Sequence, residues 1–292
     1  MSEGPFAGQK ISSVPVGFDS EGRPLRTRRR RRKDRPGDVV LYPIVDGPGV
    51  ALLVVWPPLL TIMTLPVLDL FVSFTPKNVL NPINLLMLPF AMPLIGAFAM
   101  LFGYILMFAG RILAASAYGE DDHPRWPNWD TREIGEGLGR WVWAGLMGFV
   151  VGGLPAYTYW INCGEVDAMD QLIFGDLAAL GGAYALMAVA AALLNENLLA
   201  ANPAAVTLGI KRVGWDYVTP CLVAAWGVGS SLLVWRYVLF QAPNVMVGVF
   251  GMWGCWVWSL YQLMIIFRAL GLTYYRHAEA LDWFRKPPRC GV

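Results

Sequence analysis

The chain has 292 residues, 56% of them hydrophobic and only 15% charged, against about 25% charged in a soluble domain. Mean hydropathy is +0.46 and net charge +2, so an ordinary soluble globular domain is excluded. Its four cysteines, Cys163, Cys221, Cys255 and Cys290, stand far apart with no C-x-x-C pair, which argues against a zinc site and against a disulfide framework.

Residues 1–38 are rich in Gly, Pro, Ser and Arg and hold too little apolar material to bury a core, so a disordered basic tail is expected. It carries Arg28 to Arg32 without interruption, then Lys33 and Arg35. It is too long and polar for a secretory signal, and no A-x-A-like site follows a short apolar core. The first span is therefore expected as an uncleaved anchor.

Six apolar blocks follow, each long enough to cross the ~30 Å hydrocarbon layer as a helix that satisfies its own backbone. They are placed at 49–74, 84–111, 139–162, 177–199, 217–241 and 244–268. Pro57-Pro58 should kink the first block, and Pro89 and Pro93 sit near the start of the second. The expected fold is an all-α integral membrane protein of about six transmembrane helices with two short interfacial cytoplasmic helices. The membrane domain would cover 39–275, with a short tail at 276–292.

Lysine and arginine placement sets the orientation. The N-terminal tail has ten, the second-to-third connection with its flanks four (Arg111, Arg125, Arg132, Arg140), the fourth-to-fifth two (Lys211, Arg212) and the C-terminal end five. That leaves Lys77 and Arg236 for the other side, whose third-to-fourth loop is acidic, with Glu165, Asp167, Asp170 and Asp176. The positive-inside bias puts the arginine-rich face and both termini in the cytoplasm, in the cell's inner membrane. Trp141 and Trp143 open the third span and Tyr157, Tyr159 and Trp160 close it, where amphipathic rings prefer headgroup level.

The connection Gly119 to Arg140 is the most distinctive loop. Pro124 and Pro127 keep its first half extended, and Asp130 with Glu133 three residues on reads as a capping box for a short helix from Thr131. Trp126 and Trp129 would dip into the interface beside it. The alternative is a site in which His123, with Asp121 and Asp122, binds a metal or partner; such sites normally draw ligands from separated, oriented positions.

Within residues 103–145, Gly103, Tyr104, Arg111, Gly119, Glu120, Pro127, Trp129, Asp130 and Gly137 form a pattern. A Gly–Tyr helix ends in Arg, a small-acidic turn leads to Pro-x-Trp-x-Asp, and a Gly-rich stretch opens the next span. This resembles an uncharacterised family of prokaryotic polytopic membrane domains of unknown function (number 4013). Members often have Leu-Pro before the tryptophan, where this chain reads Arg125-Trp126-Pro127-Asn128-Trp129. The tail RALGLTYYRHAEALDWF is also similar. The resemblance implies a topology and no activity.

The second cytoplasmic connection, Ala200–Trp215, begins a helix with Asn202 and Pro203. Leu208, Ile210 and Val213 offer an apolar side against Lys211 and Arg212. Both connections end in a Trp-Asp pair, Trp129-Asp130 and Trp215-Asp216, which hints at two parallel hairpins.

An ionisable group inside a span is a functional hint by default. Glu196, between Asn195 and Asn197, lies near the cytoplasmic end of the fourth span, at the depth of Arg111 and Arg268. It is one half of a Glu–Arg clamp, a solvated helix end, or a proton or cation site in a cytoplasm-facing cavity. Small residues at Ala144, Gly148 and Gly152, at Gly227 and Ser231, and at Gly251 and Cys255 predict close helix packing within the bundle or against a second copy. Trp253, Trp256 and Trp258 crowd the sixth span, with no intramembrane histidine to ligate haem, and no cofactor is expected. No phosphate-binding glycine loop, nucleophile elbow or zincin motif occurs. The arginine run suits anionic lipid headgroups better than a specific nucleic acid.

Three classes of function remain. The first is a structural, interaction or membrane-organising component with lipid or protein partners. The second is a transporter or channel for a small solute or lipid, with its cavity near Glu196. The third is an enzyme built on His123, Asp130 and His277.

Overall fold

The computed structural model describes residues 36–45, 47–73, 82–118, 124, 126–163, 167–195 and 197–281. The basic tail through Arg35, Lys77, the trio Asp121, Asp122 and His123, and Glu196 lie outside the described residues.

The described chain is α-helical, because apolar runs that must satisfy their own backbone groups have no other choice in hydrocarbon. A short α1 (Pro36–Val45) leads to α2 (Gly47–Ser73) and α3 (Pro82–Ala117). Next come α4 (Thr131–Gly148), a π-helical turn (Phe149–Gly153) and α5 (Leu154–Asn162), which together make one crossing. After α6 (Ala168–Leu194), a 3₁₀ turn (Leu198–Ala201) precedes α7 (Pro203–Val213), and a second (Gly214–Tyr217) joins it to α8 (Val218–Gln241). The chain ends in α9 (Val245–Arg276) and α10 (Ala278–Leu281). Six segments are long and apolar enough to cross a membrane: this is a multi-pass all-α membrane protein.

Several boundaries differ from the sequence reading, each for a local reason. The fourth span begins at Ala168, not 177, because Asp167 and Asp170 form a reciprocal capping box at its start, and it ends at Leu194, where Asn195 terminates it. The short helix expected to begin at Thr131 and feed the third span is continuous with it, as the first turns of α4. Of the two short helices anticipated, α7 forms from Asn202 as a separate helix before α8; the other short helix is α1, begun at Pro36 in sequence read as tail. The third span changes pitch at Phe149–Gly153 because Pro155 has no N–H for the Val151 carbonyl and its ring crowds that oxygen. The Leu154 N–H reaches back to Phe149 O, five residues away. α2 stays helical through Pro57 and Pro58.

Small residues set the closest seams. A Cβ on Gly152 would overlap the Leu177 carbonyl, and Gly148 faces Ala185 and Gly181, so α4 and α6 meet backbone to backbone. A Cβ on Gly271 would overlap Ser116, which brings α9 against α3. Gly251 against Val238 and Gly227 against Gln262 and Ile266 do the same for α8 and α9. The anticipated seams at 148, 152, 227 and 251 are therefore internal to the bundle.

The core is one-sided. Ile105, Phe108, Ile112 and Leu113 of α3, Met187 to Ala192 of α6 and Leu260 to Tyr274 of α9 hold most of the buried side chains, toward the end that carries the arginines. Toward the acidic end, Ile95, Tyr157, Leu172, Leu233, Phe240 and Val245 are exposed.

Candidate functional site at the basic end

The loop before α4 is folded onto the bundle by the residues of α3 beneath it. The Tyr104 hydroxyl donates to the Pro127 carbonyl at 2.8 Å, and Arg111 Nη1 donates to the Trp126 carbonyl at 3.1 Å. With its backbone held at two points, the Trp126 indole enters an aromatic stack. Phe108 is 4.6 Å from it between centroids, Tyr104 6.2 Å and Trp56 6.4 Å, with interplanar angles of 18°, 12° and 21°. Trp126 is thus packed against α2 and α3. Trp129 covers the outside of the stack, 4.9 Å from Tyr104 and 58% exposed.

Asp130 caps α4 as expected, accepting the Arg132 N–H at 2.9 Å. The other half of the anticipated box differs: the Asp130 N–H goes to the Asn128 carbonyl at 2.9 Å, a tight turn that leaves no donor for Glu133.

A second polar layer lies between α1, α3 and α9. Arg268 is buried; its Nη1 donates to Ser116 Oγ at 3.0 Å, and its Cζ lies 4.9 Å from the Tyr42 ring centroid. Ser116 also donates to Ile112 O at 2.6 Å, so it accepts from the guanidinium while its proton stays in its own helix. Tyr261 donates to the Val40 carbonyl at 2.7 Å, which with Tyr42 docks α1 along α9. Arg111 and Arg268 therefore reach different groups, the loop and Ser116. The clamp expected between either of them and Glu196 remains an expectation.

The connection from α6 to α8 is built differently. Asn202 accepts the Ala205 N–H at 2.8 Å and Pro203 takes the first helical position, so α7 starts as read. Val206, Gly209 and Val213 bury one face. Gly214, at φ +63°, ends the helix in a conformation that only glycine adopts without strain. Trp215 then projects outward, 89% exposed. Asp216 Oδ2 lies 3.2 Å from His277 Nε2, and His277 Nδ1 lies 3.1 Å from the Thr273 carbonyl. Arg212 donates to Leu281 O at 3.3 Å, tying α10 to α7. The two Trp-Asp pairs thus serve different ends, one capping a helix under an aromatic stack and one joining a turn to the end of α9. They give no support to a hairpin repeat. His277 is paired with Asp216 and not with Asp130.

Sequence reasoning passed over Tyr42, Ser116 and Tyr261. Only Tyr42 carried a signal, as an aromatic residue just after the Pro36-Gly37-Asp38 helix start. Among the described residues, no three His, Cys, Asp or Glu side chains converge as metal ligands would. No protein-family model, curated protein or solved structure matches the chain, so the reading of this end rests on its geometry.

Proposed function

We propose that the protein is a structural, membrane-organising component of the cell's inner membrane, with the basic end and both termini in the cytoplasm. The observation that carries this reading is how the polar groups of the basic end are used. Tyr104 and Arg111 fasten the loop to α3, Tyr261 fastens α1 to α9, Arg268 joins α9 to α3, and Arg212 ties α7 to α10. Such bonds build a firm platform at the membrane surface. The orientation follows the uneven arginine distribution, and the run Arg28 to Lys33, which precedes α1 in the sequence, suits anionic headgroups. The likeness of residues 103–145 to the polytopic family belongs to the same proposal and adds no activity.

Purification from native membranes in lipid-bilayer particles tests it. The account expects anionic lipid or a stoichiometric protein partner to be retained, and retention to fall when residues 1–33 are removed. Solute flux in proteoliposomes that Glu196→Gln abolishes would replace this reading with a transporter.

A further inference from the structure

The connection between α6 and α8 presents a surface that the bundle does not use. On α7 the buried side is Val206, Gly209 and Val213. Directly opposite, by helical spacing, stands Leu208, 47% exposed, flanked by Lys211 and Arg212, both exposed. Leu199, 72% exposed, precedes the helix, and Trp215, 89% exposed, follows it. Gly214 fixes the turn that throws Trp215 outward. Two large aliphatic side chains and an indole so exposed, interleaved with two cations, lie between the end of α6 at Leu194 and the start of α8 at Val218.

That combination is the one a bilayer surface rewards. Leucine and tryptophan gain by entering the headgroup–acyl boundary, and lysine and arginine stems run past them to place charge at phosphate level. We propose that the ledge Leu199–Leu208–Lys211–Trp215 is an in-plane binding site for anionic phospholipid headgroups, separate from the basic tail. Charge complementarity selects net-anionic headgroups: a zwitterionic leaflet would reward Leu199, Leu208 and Trp215 equally, but the choline beside each phosphate would offset the attraction for Lys211. The ledge deepens the membrane-organising reading and rests on it only for the choice of leaflet.

Fluorine resonances of the full chain, labelled with fluorotryptophan and held in nanodiscs, test the site directly. Trp215→Phe assigns the Trp215 signal. In discs of phosphatidylcholine with phosphatidylglycerol, a headgroup-spin-labelled lipid should broaden that signal, and a water-soluble paramagnetic chelate should leave it sharp. Titrating phosphatidylglycerol into phosphatidylcholine should shift it. Lys211→Gln should weaken that response about fivefold, the effect of removing one surface cation, and Lys211→Arg should restore it. A signal broadened by the chelate and not by the lipid label would overturn the proposal and mark the ledge as a surface for a soluble partner. An unchanged phosphatidylglycerol response in Lys211→Gln would overturn the anionic selectivity. Loss of lipid retention on removing the tail concerns the earlier reading and leaves the ledge standing.

Discussion

Helix α9 begins with Val245, Met246 and Phe250 between 60% and 83% exposed and continues to Met264, Phe267 and Leu270 at 1–2%. The two halves are similarly apolar, yet the first faces outward and the second is wrapped by α1, α2, α3 and α8. α6 shows the same division: it is exposed at Met169, Leu172 and Leu180 and buried from Met187 to Ala192. At the acidic end an open cleft of about 390 Å³ separates α2, α8 and α9, lined by Leu65, Leu68, Leu239 and Val245 among others. In lipid, apolar side chains gain nothing by leaving hydrocarbon for a protein interior, so packing must come from close contact and hydrogen bonds. The basic end has most of both; toward the acidic end they reduce to the Gly152–Leu177 and Gly251–Val238 contacts and the 2.7 Å bond that Tyr159 donates to Asp170, and much of the remaining surface faces lipid.

Between the halves stand three indole-to-hydroxyl bonds. Trp256 donates to Thr64 at 3.1 Å, Trp258 to Ser230 at 3.1 Å and Trp235 to Ser259 at 3.2 Å. They join α9 to α2 and α8 at a depth where an unpartnered indole N–H has no water to bond. Two of the tryptophans crowded in the sixth span, Trp256 and Trp258, are thus cross-helix ties, and Trp253 is 43% exposed.

If the halves differ as described, equal chemical changes should cost unequal amounts. Gly271→Leu, which drives a side chain into Ser116 and the Leu113 carbonyl, should cost about 3 kcal/mol or more, read as a drop in the detergent unfolding midpoint. Arg268→Ala should cost roughly 2–3 kcal/mol through the lost charged bond to Ser116. The same midpoint should fall with it, and α1 should become open to proteolysis. Leu113→Ala, fully buried, should cost about 2 kcal/mol, mostly as a cavity term. Trp256→Phe removes one indole donor while Thr64 keeps its bond to Leu60 O, so about 0.6 kcal/mol is expected. Leu239→Ala, on the rim of the open cleft, should fall below ~0.5 kcal/mol; a loss equal to that of Leu113→Ala would erase the comparison.

Length and hydropathy were enough to read the six spans, because hydrocarbon thickness leaves little freedom in segment length. The seams at Gly148, Gly152, Gly227 and Gly251 were legible too, since only small residues let helices approach so closely. Burial was not legible, because a leucine against lipid and a leucine against protein are equally apolar. The early start of α6 was written in Asp167 and Asp170, read as loop acidity when their spacing was a cap. The partners of Arg268 were beyond reach: Ser116 is 152 residues away and nothing in its own neighbourhood marks it. Trp126 and Trp129, three positions apart, looked equivalent, and only the two bonds from Tyr104 and Arg111 send one inward.

The division is tested most directly on α9 alone. Photolabelling of the full chain in a bilayer with a diazirine-bearing lipid, followed by peptide mass spectrometry, compares its two halves within one helix. The account predicts heavy labelling of residues 245–253 and little across 260–274. Equal labelling of the two segments would contradict it.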